Sequence, residues 1–288
     1  MSTQGAIMGD RGPWPSPIGL LARQTRHQVA MFVRVPAAVF FTLALPVVIL
    51  VVVNAVFGDG TALADGGEWP TRQFYTGALA AFTAVSATYT NLANTVPVRR
   101  EEGILKRWRS TPLPVPVLIL GQMVGALVVA VLGALLLLIV GVLAYGLEVD
   151  AAALPNALLT FIVGVLSFAA LGMAISSAVS SADSAPAVAN ATILPLAFIS
   201  NIFIPLEDPP RWLDLLGDVF PLKPFAESFQ ASFHPIDPAT TPDASALAVV
   251  ALWGVLGAVA AVRTFRFDPT PGSASRGQRR QRGRQRST

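Results

Sequence analysis

The chain has no cysteine, two histidines and two lysines among its 288 residues. Without cysteine there can be no disulfide, thiol nucleophile or thiolate metal ligand. His27 and His234 stand far apart with no second histidine at ligand spacing, so no metal site is expected. Neither Lys106 nor Lys223 follows a glycine, and no Gly-x-x-x-x-Gly-Lys-Ser/Thr phosphate loop occurs. The chain cannot hydrolyse ATP in P-loop fashion, and energy for vectorial work must come from another polypeptide. It is read as a non-enzyme with no catalytic residues and no cofactor.

Charge is also scarce. Only 13% of residues are Asp, Glu, Lys or Arg and 53% are hydrophobic, where a soluble domain carries about 25% charge. The mean hydropathy is +0.60. So little charge cannot wet the surface of a 30.2 kDa globule, and the same composition excludes disorder. An integral membrane protein remains.

Six stretches lack ionisable residues and give spans at about 36–57, 74–96, 115–146, 153–178, 185–206 and 244–262. Each approaches or exceeds the roughly 20 residues a helix needs to cross hydrocarbon. Their polarity does not alternate as barrel strands require. The expected fold is an all-α polytopic membrane protein with six transmembrane helices. The first run, starting after residue 35, is too long for a signal core and reads as a retained anchor. Seventeen of the twenty basic residues fall in the N-terminal segment, the loop between spans two and three, and the C-terminal tail. Six crossings put all three on one side, so both termini are expected to be cytoplasmic, in the plasma membrane.

Segments outside the spans carry their own periods. Residues 1–17 read as flexible, and Ile18–Arg34 as an amphipathic helix lying in the headgroup layer, with Arg23, Arg26, His27 and Arg34 on its polar face. The tail at 268–288 reads as basic and disordered, fitted to anionic lipid rather than nucleic acid. Between spans five and six, Trp212, Leu213, Leu216, Val219 and Phe220 share one helical face, and Phe225, Phe229 and Phe233 recur every four residues. These predict two short external helices, interfacial or re-entrant, while His234 beside Pro235 reads as a solvated loop residue.

The loop Arg99–Pro114 holds the densest pattern. Glu101 and Glu102 open a short helix and Lys106, Arg107 and Arg109 close it, matching the helix dipole. Ile104, Leu105 and Trp108 form an apolar ridge on it. Composition alone leaves two readings open, a positive-inside loop with an interfacial tryptophan and a docking element. Inside the spans, Ser86, Tyr89, Asn91, Asn94, Asn190 and Asn201 serve either helix packing or the lining of an amphiphile path. Gly121 and Gly125 form a GxxxG pair in span three.

Taken together, this organisation resembles the membrane subunit of an ABC type-2 exporter, the group that includes daunorubicin-resistance permeases and polysaccharide or teichoic-acid exporters. Arg100, Glu102, Gly103, Leu105, Lys106, Arg107, Arg109, Thr111 and Pro112 carry the family's loop pattern. A looser match runs through Phe203, Pro205, Pro210, Trp212, Leu213, Pro221, Leu222 and Glu227, which the resemblance assigns to the external re-entrant segment. Where the family often places an arginine after that glutamate, Gln230 and Ser232 stand instead. The resemblance covers about residues 15–265 and implies an ABC type-2 transmembrane domain over 18–267. It makes Arg100, Glu101, Glu102, Gly103, Ile104, Leu105, Lys106, Arg107, Trp108 and Arg109 a coupling helix for a separate ATP-binding cassette subunit. It further implies a second permease, identical or paralogous, and outward movement of a drug, lipid or lipid-linked glycan. A membrane-embedded enzyme acting on lipid-linked substrates, or a scaffold, is the alternative.

Overall fold

The computed structural model describes residues 16–58, 60–64, 67–105, 115–205 and 209–264. The N-terminal fifteen residues, the basic tail, and Lys106, Arg107, Trp108 and Arg109 lie outside them. Helix α1 (Pro17–Val33) starts on Ser16, whose Oγ accepts from the Gly19 amide at 3.2 Å, with Pro17 in the first turn. Pro36 opens α2 (Pro36–Val39), which passes through a π-helical turn (Phe40–Ala44) into α3 (Leu45–Phe57).

A two-stranded antiparallel hairpin follows, β1 (Thr61–Ala64) with β2 (Gly67–Pro70), pairing Ala62 with Trp69. It corrects the all-α expectation. Four-residue strands are too short for a readable alternation, and what fixes this pair is tertiary. Buried Trp69 meets Phe74 and, at 4.5 Å between rings, His234. His234 is half-buried, and its Nδ1 accepts the amides of Ile236 and Asp237. It is therefore a packed turn residue rather than a solvated one.

Helix α4 (Thr71–Val85), a second π turn (Ser86–Thr90) and α5 (Asn91–Glu101) run on without a break as the central rod. Ala78, Leu79, Ala80, Ala81 and Ala84 are all sealed from solvent. Small side chains let neighbouring helices approach closely, which suits alanine to the centre of a membrane bundle. The rod overruns the expected boundary near 96 because Pro97 forfeits only one ladder bond and Arg99 and Arg100 find protein partners beyond it.

Helices α6 (Val115–Tyr145), α7 (Leu154–Ala178) and α8 (Ala185–Ile199) pack against this rod, and α11 (Ala244–Thr264) packs on the outside of α7. On α6 the glycines act as seats. A Cβ at Gly121 or Gly125 would strike the side chains of Gln24 and Gln28 of α1, and one at Gly133 or Gly141 would strike Thr83 and Thr76 of α4. The GxxxG pair thus receives α1 through its glutamines, while Ile18 and Val33 of the expected apolar face stay exposed. Gly146, at φ +65°, turns the chain from α6 toward α7.

Among the described residues four helices are long and apolar enough to cross a membrane: Pro36–Phe57, Ile119–Tyr145, Leu154–Ala178 and Ala244–Thr264. Helix α8 is apolar but stops at Ile199, short of the expected 206. Ser200 Oγ turns back onto the Leu196 carbonyl, and Asn201 takes a left-handed φ of 55°, which ends the helix. Two short helices, α9 (Arg211–Val219) and α10 (Leu222–Ala231), precede α11.

Candidate functional site

The positively charged end of the bundle is built on the last turns of α5. Helix α5 gives way to turn at Glu102, and Gly103 sits at φ +70°, a left-handed conformation suited to glycine that redirects the chain. Just before that point two side chains reach the far end of α7. The Arg100 guanidinium donates to the carbonyls of Ser176 and Val179, and Glu101 accepts the Ala182 amide at 2.8 Å. Ser176 and Val179 lie in the last turn of α7, whose carbonyls have no helical partner, so a buried guanidinium satisfies what the helix leaves open. Glu101 and Glu102 are both exposed.

Leu105 departs from the ridge read in the sequence. It is only 1% exposed and packs with Leu92, Val96, Ala126, Ala169 and Met173 of its own chain. A side chain sealed in this way cannot also anchor an external partner. Helical spacing grouped it with Ile104 and Trp108 but could not tell which surface covers it. Ile104 is half-buried, and Trp108 lies outside the described residues.

The opposite end is aromatic. Phe225, Phe229 and Phe233 are all buried; the Phe225 and Phe229 rings meet Phe168 and Phe161 of α7, and Phe233 packs on Phe229. A Cβ at Gly164 would sit 2.2 Å from the Phe225 ring, so that glycine makes the slot. Main-chain groups are tied by amides. Gln73 donates to the Phe233 carbonyl, Gln230 to the Phe74 carbonyl, and Asn156 to Ser232 Oγ and the Ala239 carbonyl. Gln230 also lies over Gly77. The two residues that depart from the family pattern, Gln230 and Ser232, therefore hold α10 in the bundle.

The external segment residues divide between packing and exposure. The Phe203 carbonyl accepts the Tyr75 hydroxyl and its ring meets Phe82, while Pro205 is half-buried. The Pro210 carbonyl starts α9 by accepting the Leu213 and Asp214 amides, and Pro221 begins α10 by accepting from Phe225. Glu227 accepts from Asn201 at 2.9 Å. Trp212, Leu215 and Val219 leave the apolar face of α9 exposed. Lys223 bridges Asp214 and Asp218, with Glu227 at 4.0 Å. Burial works against its charge, but the surrounding carboxylates prevail and hold the ammonium above the ordinary lysine range.

Residues read as path or packing do not form one surface. Tyr89 is buried, and its hydroxyl shares a hydrogen bond with Thr192 of α8. The backbone at Tyr89 lies against Gly172, so both α7 and α8 touch the central rod at this π turn. Ser86, Asn91 and Asn94 are half-buried, Asn190 is exposed on α8, and Asn201 sits at the aromatic end.

The sequence pattern of the ABC-2 type transporter family matches residues 20–234. The chain belongs to this family. It is 30% identical over 128 residues to a probable multidrug ABC transporter permease, YbhR, of Escherichia coli strain K12, a match covering 44% of this chain and 34% of that protein. The chain thus spans about a third of that relative's length. It is 23% identical over 205 residues to the daunorubicin resistance ABC transporter permease protein DrrB1 of Streptomyces coeruleorubidus, covering 70% of this chain and 71% of that protein.

As an ABC-2 permease, the chain is a membrane subunit with several apolar helices. Its two ends depend on residues that sequence reasoning passed over. Gln122 and Asn156 are isolated polar residues in apolar runs, and only tertiary pairing gives them a role. Asp214 and Asp218 could have been noticed, since their i,i+4 spacing puts both on one face of α9.

Proposed function

We propose that this ABC-2 permease crosses the membrane six times with both termini cytoplasmic. It carries an amphiphilic or hydrophobic cargo outward (a drug, a lipid or a lipid-linked glycan) on energy from ATP hydrolysed by a separate subunit. Two permeases, copies or paralogues, work with that ATPase at the plasma membrane. Helices α4 and α5 form the second crossing, and α8 with the segment through Pro205 the fifth.

The observation that carries this reading is the double tie from Arg100 and Glu101 to the α7–α8 turn. A force applied to the loop after Gly103 reaches α5 directly and α8 through its first turn. The remaining loop residues, Lys106, Arg107, Trp108 and Arg109, would meet the ATPase, with Trp108 as the buried anchor. Leu105 belongs to the permease side of that joint. Asn190, exposed on α8, is costly against lipid and suits a second permease or the cargo path.

The test is co-purification with a candidate ATP-binding cassette ATPase co-expressed with this chain. Trp108→Ala should abolish capture of the ATPase while the permease still inserts, and Trp212→Ala at the other end should leave capture intact. Full capture by Trp108→Ala would remove the docking assignment.

A further inference from the structure

A crevice of about 350 Å³ lies between α1, the start of α2, α5 and α6, at the positively charged end of the bundle. Its walls are apolar, formed by Met31, Phe32, Ala38, Leu92, Ala126 and Val129. Its polar groups are few and specific. Gln28, Arg99 and Gln122 are at most 9% exposed, and Arg99 donates to Gln122 Oε1 at 3.3 Å. Gln28 Nε2 and Asn94 Oδ1, both buried, meet no hydrogen-bond partner. A buried amide N–H left without an acceptor is costly, and a buried guanidinium is costly unless its charge is matched. Glu102 lines the same crevice three residues after Arg99 and is exposed.

A ligand that completes this site must bring an acceptor to Gln28 beside the Arg99 charge, a cation toward Glu102 and a hydrocarbon body to the walls. Guanidinium geometry suits the oxygens of a phosphate group. One cation buried and one anion exposed sum to no charge, so a net-neutral headgroup fits better than an anionic one. We propose that the crevice is a binding site for an aminophospholipid of the phosphatidylethanolamine type. Its phosphate meets Arg99 and Gln28, its ammonium faces Glu102, and an acyl chain lies along Met31, Phe32 and Val129. The lipid would wedge α1 against the bundle beside the Gln28–Gly125 seat.

The full chain, purified in detergent, is titrated with dioleoyl phosphatidylethanolamine, phosphatidylglycerol and phosphatidylcholine and read by native mass spectrometry. Neither transport nor an ATPase partner is required. Phosphatidylethanolamine should be retained about tenfold more than either other lipid, a difference of one decade in Kd. Arg99→Gln should remove binding of all three lipids. Glu102→Gln should abolish the preference for phosphatidylethanolamine over phosphatidylglycerol, an effect a merely structural glutamate would not produce. Ala38→Phe fills the crevice from its apolar wall and leaves the charges in place. It should expel the lipid even where Arg99→Gln fails to fold, and exposed Arg72→Gln should change nothing. Equal retention of the three lipids by the wild-type chain, or undiminished phosphatidylethanolamine on Ala38→Phe, overturns the proposal.

Discussion

The two ends of the bundle are held together by different physics. At the aromatic end α10 is embedded, with Phe225 and Phe229 in ring contact with α7 and with Gln230 and Ser232 bonded to α4 and α7. At the charged end the joint between α5 and the α7–α8 turn rests on two side chains, Arg100 and Glu101, beside one small apolar cluster. Close-packed aromatic cores have few alternative arrangements and resist sliding. A hydrogen-bonded staple fixes a distance while leaving the elements it joins free to move as a pair. The difference assigns rigidity to one end and transmission of movement to the other.

The largest effect should come from breaking the aromatic end. Phe225→Ala removes a fully buried ring from the Gly164 slot and should cost about 3–5 kcal/mol. Thermal unfolding in detergent should show that loss, and a near-neutral result would mean that α10 is not packed as described. Next comes the staple. Arg100→Ala leaves two terminal carbonyls of α7 unsatisfied and should cost about 1–3 kcal/mol. Export should fall much further than stability does, and the ATPase should stay bound but uncoupled. Equal losses of stability and export would make Arg100 structural only.

The smallest effect is expected at Lys223, whose carboxylate partners Asp214 and Asp218 are about half exposed. Lys223→Met should cost about 1 kcal/mol at neutral pH, since exposed ion pairs contribute little. Its folded-state pKa lies above the ordinary value. The contribution is therefore fully present below the unfolded lysine pKa of about 10.4 and is lost only as pH rises through the folded one. The gap in melting temperature between wild type and Lys223→Met should hold steady through neutral pH and close in strong alkali. A gap that closes between about pH 6 and 9, where the lysine and both aspartates stay charged, would place the stabilisation on another group.

Much of this could be read in advance. Four long apolar rods and the two short helices before α11 follow from hydropathy and period, whereas the loop pattern reads Gly103 as part of one helix and the chain turns there at φ +70°. What was hidden is what only a neighbour decides. The Phe225–Phe229–Phe233 stripe announces a helix with one apolar face, but burial of that face depends on the slot at Gly164. Leu105 shares a helical face with Ile104, yet it turns into its own bundle. The apolar period of α1 suggested a lipid-lying face, whereas Gly121 and Gly125 draw in its glutamines. The hairpin at 61–70 is held through Trp69 and His234, residues 165 positions apart in sequence, a pairing no local pattern reveals.

The central claim is that the end of α5 and the α7–α8 turn move as one unit under the ATPase. Spin labels at exposed Glu102 and Asp183, in the permease assembled with its ATPase, measure that joint directly, with a label at Ile236 reporting the aromatic end. The distance between Glu102 and Asp183 should be the same in the ATP-bound and ADP-bound states while both labels shift relative to Ile236. A Glu102–Asp183 distance that changes with nucleotide, or three distances that never change, would contradict it.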